Sequence, residues 1–190
     1  MLWGFSNEGQ SDDESAKPSY QAMADAFRSR DPSRLITWAD NRVDNGKAYE
    51  YADVISFNRY PGWYNGPAED INASWRGYAA WVAEHWPAKP FIISETGAGG
   101  IVGNHSDNAT APSRWSEEYE SLVDGLDVST AMECSNISGI SLWQLQDIKV
   151  DQANSSSGRP GGINNKGVLS RWREPKLAAK TVADVYAGLA

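Results

Sequence analysis

The sequence is poor in the residues that serve thiol, redox and metal chemistry. Its 190 residues include one cysteine, Cys134, and two histidines, His85 and His105. One cysteine excludes an internal disulfide framework, and two histidines leave too few soft ligands for a structural zinc site. We therefore expect no metal and no cofactor. Ser-His-Asp catalysis is disfavoured because neither histidine ends a predicted strand.

Long apolar runs and basic clusters are also lacking. No apolar stretch approaches the ~20 residues of a membrane span, and residues 1–8 reach a carboxylate with no basic region before it, unlike a signal peptide. Seventeen Lys and Arg against 25 Asp and Glu give a net charge of −8. We therefore expect neither a nucleic acid nor an anionic membrane as a partner.

Tryptophan and tyrosine, in contrast, are abundant. Nine Trp and eight Tyr exceed what a core of this size needs. They could supply additional core and subunit contacts, or they could form platforms on which the apolar faces of sugar rings stack. An acidic chain with many Trp and few His favours carbohydrate chemistry, which relies on carboxylates.

Short apolar runs alternate with longer helical patterns, which predicts βαβ units and a parallel α/β sheet. The predicted helices span residues 18–30, 74–86, 116–132 and 175–189, with Pro175 in the first turn of the last one. Composition predicts a loop over residues 153–162. The predicted strands span residues 2–6, 35–39, 53–58, 90–95 and 139–143.

Polar groups stand at the carboxyl ends of these strands, as catalytic groups do in α/β barrels. Five strands fall short of a closed barrel, which typically needs ~250 residues. We expect residues 1–190 to form one partial domain, the C-terminal part of a (β/α)8 barrel within a longer catalytic domain. Its two open edges predict self-association, with a homo-oligomer as one form of it.

Two carboxylates close predicted strands. Glu8 follows the first strand and Glu95 ends the fourth. Either could form a structural salt bridge, but two at one sheet edge match the pair that flanks a glycosidic bond during cleavage. Other acids, such as Glu117 and Glu118, are interpreted as a solvated helix face. The glycines of residues 97–103 fit a mobile active-site loop better than a phosphate-binding one.

Seven segments carry motifs that can be compared with known families, and together they cover nearly the whole chain. They are Ser-Asn-Glu at 6–8, Asn-Arg-Tyr-Pro-Gly-Trp-Tyr at 58–64, Lys-Pro-Phe-Ile-Ile-Ser-Glu-Thr-Gly at 89–97, Arg-Trp-Ser-Glu-Glu-Tyr at 114–119, Leu-Trp-Gln-Leu-Gln-Asp at 142–147, Asn-Asn-Lys-Gly-Val-Leu at 164–169 and Arg-Trp-Arg-Glu-Pro-Lys at 171–176. In this order the seven segments resemble glycoside hydrolase family 2, closest to its β-glucuronidase branch. The Gln-Leu-Gln-Asp run at residues 144–147 departs from the Asn-Phe-Ala-Asp of familiar β-glucuronidases.

The resemblance implies a retaining exo-glycosidase that uses about strands 4 to 8 of the barrel. In the catalytic pair it implies, Glu8 is the general acid/base on the fourth strand and Glu95 the nucleophile on the seventh. Tyr60 would orient Glu95, and Asn7 would bind the 2-hydroxyl of the sugar.

The resemblance also implies a set of substrate-binding residues. Trp143 would form the floor of the sugar subsite, while Asn164 and Lys166 would bind the carboxylate of a uronic acid. Lys166 could instead pair with a surface acid. Further contacts are expected from Asn58 and Tyr64, with Arg159 as an additional helper.

Two other functions remain open at this point, a β-galactosidase-like hydrolase of the same family and a non-catalytic sugar-binding relic. Five Asn-x-Ser/Thr sequons, against about 1.6 expected by chance, hint at a secretory or extracellular route. A chain simply rich in Ser and Asn is the alternative explanation. The sequons lie at Asn72, Asn104, Asn108, Asn136 and Asn154.

Overall fold

A computed structural model describes residues 1–108, 110–150 and 158–188. Strands and helices alternate over most of this length, with short 3₁₀ turns between them. The elements are β1 (Trp3–Asn7), α1 (Lys17–Arg30), β2 (Ile36–Ala39), β3 (Ile55–Asn58), α2 (Ile71–His85), β4 (Phe91–Thr96), α3 (Glu117–Glu133), β5 (Gly139–Leu142), β6 (Ile148–Lys149), β7 (Ile163–Asn164) and α4 (Leu177–Tyr186).

The first five strands are parallel and lie in chain order. β1 pairs with β2, and β3, β4 and β5 pair in succession. Asp40 joins the two sets, because its N–H donates to Ser56 O at 3.0 Å and its carbonyl accepts from Asn58 N at 2.8 Å. The predicted strands and their parallel order are confirmed.

β3 lies at the centre of the core and is buried on both faces. Ile55 and Phe57 point to the helix side, where Phe57 packs on Phe91 with ring centroids 5.0 Å apart. Successive side chains of a strand alternate between faces, so Ser56 and Asn58 point the other way. Asn58 is thereby directed towards the region enclosed by the strands.

The tryptophans divide between the two predicted uses. Trp38, Trp63 and Trp75 are almost fully buried and belong to the core. Trp143 and Trp172 are exposed. Core packing therefore explains part of the excess, and exposed indoles remain available for ligands.

Two helices begin more than one residue away from their predicted starts. α2 begins at Ile71, three residues before the predicted Ser74, because fully buried Ile71 continues directly from a 3₁₀ turn. α4 begins at Leu177, so Pro175 lies outside the helix and its predicted place in the first turn is wrong. The side chain of Lys176 is buried at this point, and the helix starts only after it.

The antiparallel pair β6–β7 was not predicted. Of the predicted loop over residues 153–162, residues 158–162 are described and end in a 3₁₀ turn at Pro160–Gly162. Asn154 lies outside the described residues, and the other sequon asparagines are exposed. Within the described parts of the chain, no helix is both long and apolar enough to cross a membrane.

Candidate active site

Side chains from β1, β3 and β4 meet at the carboxyl edge of the sheet. The amide nitrogen of Asn58 donates to Asn7 Oδ1 and Glu8 Oε1, both at 3.0 Å, and to Glu95 Oε2 at 3.3 Å. The hydroxyl of Ser94 donates to Asn58 Oδ1 at 2.8 Å, which sets the orientation of the amide. Four residues predicted from three separate motifs are thus joined through one nitrogen.

This shared nitrogen limits the separation of the two carboxylates. Because it contacts one oxygen of Glu8 and one of Glu95, those oxygens lie no more than about 6 Å apart. Glu8 follows β1 and Glu95 is the last residue but one of β4, and these parallel strands end on the same side of the sheet. A sugar bond between them would have an acidic group within reach on either side.

Glu95 is held at both of its oxygens. Tyr60 donates its hydroxyl to Oε1, and Asn58 donates to Oε2. Burial raises the pKa of Glu95, and the negative charge of Glu8 adds to the rise, whereas the Tyr60 hydrogen bond and the charge of Lys166 lower it. Burial also raises the pKa of Tyr60, so its hydroxyl remains a donor.

Glu8 is more exposed and sits on a constrained backbone. Its φ of 52° lies in the left-handed region, which is uncommon for a residue with a side chain. The Glu8 N–H donates to Ala39 O at 2.8 Å, and Asn41 Nδ2 donates to Glu8 Oε2 at 3.2 Å. The backbone bond to β2 maintains a conformation that aims the side chain at Asn58.

Lys166 occupies an aromatic cage beside this pair. Its ammonium lies 4.1 Å from the ring centroid of Trp63, 4.8 Å from that of Tyr60 and 4.9 Å from that of Tyr64. It donates to Gly97 O at 3.3 Å. Tyr60 therefore contacts Lys166 through its ring and Glu95 through its hydroxyl, which links the cation to the carboxylate pair.

The described residues give no support to the alternative in which Lys166 pairs with a surface acid. The residue is 1% exposed, and no carboxylate within residues 1–108, 110–150 and 158–188 lies in ion-pair range of it. Burial lowers the pKa of Lys166 to about 6, and the positive charge of Arg159 contributes to the decrease. Its ammonium is solvated by π faces and one carbonyl rather than by an anion.

The other predicted binding residues differ in how far they are exposed. Asn164 is buried, and its Oδ1 has no hydrogen-bond partner within the described residues. Tyr64 is exposed and packs edge-on against Tyr60. Trp143 follows β5. Its backbone N–H donates to Thr96 O at 2.7 Å, and its side chain remains 39% exposed. Arg159 is half-buried and contributes positive charge near Lys166.

Sequence reasoning missed a second buried lysine and the acids around it. The ammonium of Lys176 donates to Glu120 Oε1 at 2.6 Å, to Gly100 O at 2.8 Å and to Asp147 Oδ1 at 3.3 Å. Glu117, predicted to be solvated, is instead buried, because its oxygens accept from backbone N–H groups. Four acids of α3, at positions 117, 120, 124 and 127, are spaced by three, four and three residues. This spacing places them on one face of the helix, and it was the sequence feature from which a buried acidic face could have been inferred.

The segment after Glu95 is also more enclosed than expected. Residues 96–100 are buried, so the predicted mobile loop is wrong for this part of the chain. Across the described residues, no group of three or more His, Cys, Asp or Glu side chains is arranged to hold a metal ion.

A parallel α/β sheet with polar residues gathered at its carboxyl edge is the architecture of α/β-barrel enzymes. The chain belongs to glycosyl hydrolase family 2, whose TIM barrel domain matches residues 1–190.

Named relatives agree with this family. The chain is 34% identical to the β-glucuronidase of Homo sapiens. The match covers 98% of this chain and 28% of the human protein. It is 31% identical to the β-glucuronidase of Paenibacillus borealis over 95% of its own length and 29% of that protein. The chain thus spans less than a third of these relatives.

Solved structures of similar proteins share the fold of this chain. A family 2 β-galacturonidase from Eisenbergiella tayi, bound to galacturonate, superposes with a TM-score of 0.89 at 31% identity. That match covers 100% of this chain and 33% of the other. The β-D-glucuronidase of Dictyoglomus thermophilum also has a TM-score of 0.89, at 30% identity, and covers 100% of this chain and 32% of the other.

Proposed function

We propose that this chain carries the catalytic pair of a retaining β-glycosidase that removes terminal β-uronides of the glucuronide type. The observation that carries the proposal is the single Asn58 nitrogen bonded to both Glu8 and Glu95. The two bridged oxygens lie at most about 6.3 Å apart, the sum of the two hydrogen-bond lengths, which is compatible with the ~5–5.5 Å between nucleophile and acid in retaining enzymes.

The first chemical step uses the two glutamates in different roles. Glu95 attacks the anomeric carbon with one carboxylate oxygen, and the bond to the leaving oxygen breaks as Glu8 transfers its proton to that oxygen. Hydrogen bonds from Tyr60 and Asn58 hold Glu95 in the direction of attack. The partial burial of Glu95 supports this role, because a nucleophile with little surrounding water needs less desolvation before it reacts.

The second step reverses these roles. Glu8, now ionised, removes a proton from water, the water oxygen bonds to the anomeric carbon, and the bond to Glu95 breaks. The greater exposure of Glu8 supports this assignment, because the residue must meet both the departing group and the incoming water.

The cage around Lys166 supports a uronide as the substrate class. A buried ammonium without an anion is unfavourable, and the carboxylate of a uronic acid would supply the missing charge. Asn164, buried two residues away, would add a directed hydrogen bond. A β-galactosidase-like substrate would leave Lys166 uncompensated, and a sugar-binding relic would not need two bridged carboxylates. Relatives named for glucuronides and galacturonides support uronides as a class.

We further propose that residues 1–190 supply strands four to eight of an eight-stranded barrel. The confirmed parallel order of five strands supports this assignment. In a barrel, β1 and β5 would each pair with a further strand.

A comparison of charged and neutral substrates tests the substrate class. Lys166→Met, in a complete barrel that carries these residues, keeps an unbranched apolar side chain one atom shorter than lysine but removes the charge. We expect kcat/KM on an aryl β-glucuronide to fall about 10²-fold or more, the ~3 kcal/mol typical of losing one partner of a buried charge pair. The rate on an aryl β-glucoside should stay nearly unchanged.

Lys180→Met is the matched control, because Lys180 is exposed on α4 and pairs there with Asp184. It should alter neither rate. If Lys166→Met affects both substrates alike, or if the unmodified enzyme prefers the neutral glycoside, the uronide proposal fails and the family membership remains.

A further inference from the structure

One face of α3 presents four buried carboxylates to the segment that follows Glu95. Spacings of three, four and three residues place them in one row along the helix. Each is at most 7% exposed. Buried carboxylates need hydrogen-bond partners, so the row must be matched by donors. Its members are Glu117, Glu120, Asp124 and Asp127.

The donors are successive groups of residues 96–103, which run antiparallel to α3. Each carboxylate accepts one hydrogen bond from this segment. The pairs are Thr96 Oγ1 to Asp127 at 2.8 Å, Ala98 N to Asp124 at 3.1 Å, Gly100 N to Glu120 at 3.1 Å and Gly103 N to Glu117 at 2.8 Å.

Asp124 differs from the rest of the row because its donor peptide also contacts Lys166. The N–H of Ala98 donates to Asp124 Oδ1, and the carbonyl of Gly97, in the same peptide unit, accepts from Lys166 Nζ at 3.3 Å. The positive end of the peptide dipole therefore faces the aspartate and its negative end faces the lysine. One peptide bond connects the two charges and is polarised by both.

The backbone at this point accepts only glycine. Gly97 has a φ of +136°, and a Cβ there would lie 2.9 Å from Trp143 O and 3.3 Å from Asp124 Oδ1. The orientation of the peptide thus depends on a residue without a side chain.

We propose that Asp124 is a positioning residue for uronide specificity, which holds the ammonium of Lys166 in place and in its charged form through the Gly97–Ala98 peptide. Asp124 acts through Lys166 and does not touch the substrate. The inference rests on the proposed role of Lys166 in binding the substrate carboxylate.

The charges around Lys166 agree with this role. Burial lowers its pKa to about 6, and Asp124 supplies the largest opposing effect. Burial raises the pKa of Asp124 to about 7, and the Ala98 N–H and the charge of Lys166 oppose that rise. The two groups therefore titrate as a pair. Within the described residues, the charged and titratable groups facing Lys166 are Glu120, Asp124 and Asp127 of α3, Arg114, Arg159, Glu95 of β4, and Tyr60 and Tyr64.

Asp124→Asn tests the proposal in a complete barrel that carries these residues. Asparagine keeps the Oδ1 acceptor and the size of the side chain but loses the charge. The readout is the ratio of kcat/KM for an aryl β-glucuronide to that for an aryl β-glucoside, measured against pH. The ratio cancels the contributions of Glu8 and Glu95, which both substrates share.

We expect the ratio at neutral pH to fall about tenfold, because without the charge of Asp124 the pKa of Lys166 is lower and less of it carries a proton. The change should lie mainly in KM, and the decline of the ratio with pH should begin at lower pH. Glu117→Gln is the matched control, because Glu117 anchors the same segment at Gly103. It should leave the ratio and its pH dependence unchanged.

If Asp124→Asn lowers kcat/KM equally on both substrates and the pH dependence of the ratio is unchanged, Asp124 only supports the structure and the proposal is overturned. If this variant does not fold, the double variant Asp124→Asn/Lys166→Met should recover folding because it removes both charges. Failure of both to fold overturns the proposal as well.

Lys166→Met separates this inference from the proposed function. If Lys166→Met leaves the ratio unchanged, the uronide assignment itself is wrong. If it lowers the ratio and Asp124→Asn does not, only the present inference fails.

Discussion

The hydroxyl of Tyr60 provides a test of how Glu95 is held. Tyr60→Phe removes one of the two hydrogen bonds on the Glu95 carboxylate and leaves the Asn58 bond on the other oxygen. The phenylalanine ring would still face Lys166, so the cage that contains the cation stays intact. The substitution therefore separates the orientation of Glu95 from the recognition of a substrate carboxylate.

The expected magnitude follows from the kind of bond that is lost. A hydrogen bond to a charged group contributes about 1.5–3 kcal/mol, which corresponds to a decrease in kcat of roughly 10- to 100-fold. The Tyr60 bond also lowers the pKa of Glu95, so its removal raises that pKa further. Because Glu95 must be ionised to attack, the acidic limb of the pH profile should move to higher pH.

The assay is kcat on an aryl β-glucuronide as a function of pH, with the β-glucuronide to β-glucoside ratio measured in parallel. Tyr119→Phe is the matched control, because its hydroxyl donates to the backbone of Gly62 rather than to a carboxylate. The control should keep the profile of the parent enzyme. A decrease below twofold, or an acidic limb that does not move in Tyr60→Phe, would refute the assigned role of Tyr60.

Three further predictions concern the pocket and its supports. The β-glucuronide to β-glucoside ratio of kcat/KM should decline as pH rises through about 6, since Lys166 attracts an anion only when protonated; a ratio that is flat with pH contradicts this. Gly97→Ala should lower both the activity and the melting temperature, because its Cβ would lie 2.9 Å from Trp143 O; wild-type values in both would argue against the described backbone. Glu120→Ala should cost about 3–5 kcal/mol in urea unfolding because Lys176 loses its nearest anion, and a cost below about 1 kcal/mol would contradict the buried pair.

The strands and the carboxylate pair could be predicted from the sequence for a physical reason. Runs such as β4 are apolar, β-branched and bounded by proline, so they predict buried strands. In a parallel sheet, the residues that end such runs meet at one edge. Glu8 and Glu95 could therefore be placed together without knowledge of any contact between them.

The buried face of α3 could not be predicted from the sequence in the same way. Acids at a helical spacing are consistent with a solvated helix face and also with a buried row. Only the position of residues 96–103, which supply the hydrogen-bond donors, distinguishes the two. The donors for Glu117 and Asp124 are backbone N–H groups of a glycine-rich segment, which leave no signature in side-chain composition. The expectation of a solvated face failed for that reason.

The cage around Lys166 likewise depends on distant parts of the chain. Trp63 and Tyr64 precede Lys166 by about a hundred residues, and only the folded sheet brings them to its ammonium. The start of α4 was misplaced because Pro175 is typical of a first helical turn, whereas the helix begins only after the buried Lys176.

The assignment of Glu95 as the nucleophile is the central claim, and labelling of the enzyme with a 2-deoxy-2-fluoro-β-glucuronide tests it most directly. The fluorine slows the second step more than the first when the leaving group is good, so a retaining enzyme accumulates a covalent sugar ester. Mass spectrometry of the digested protein should then locate the added sugar on the peptide that contains Glu95, and Glu95→Gln should remain unlabelled. A label on any other carboxylate, or hydrolysis that inverts the configuration at the anomeric carbon, would contradict the account.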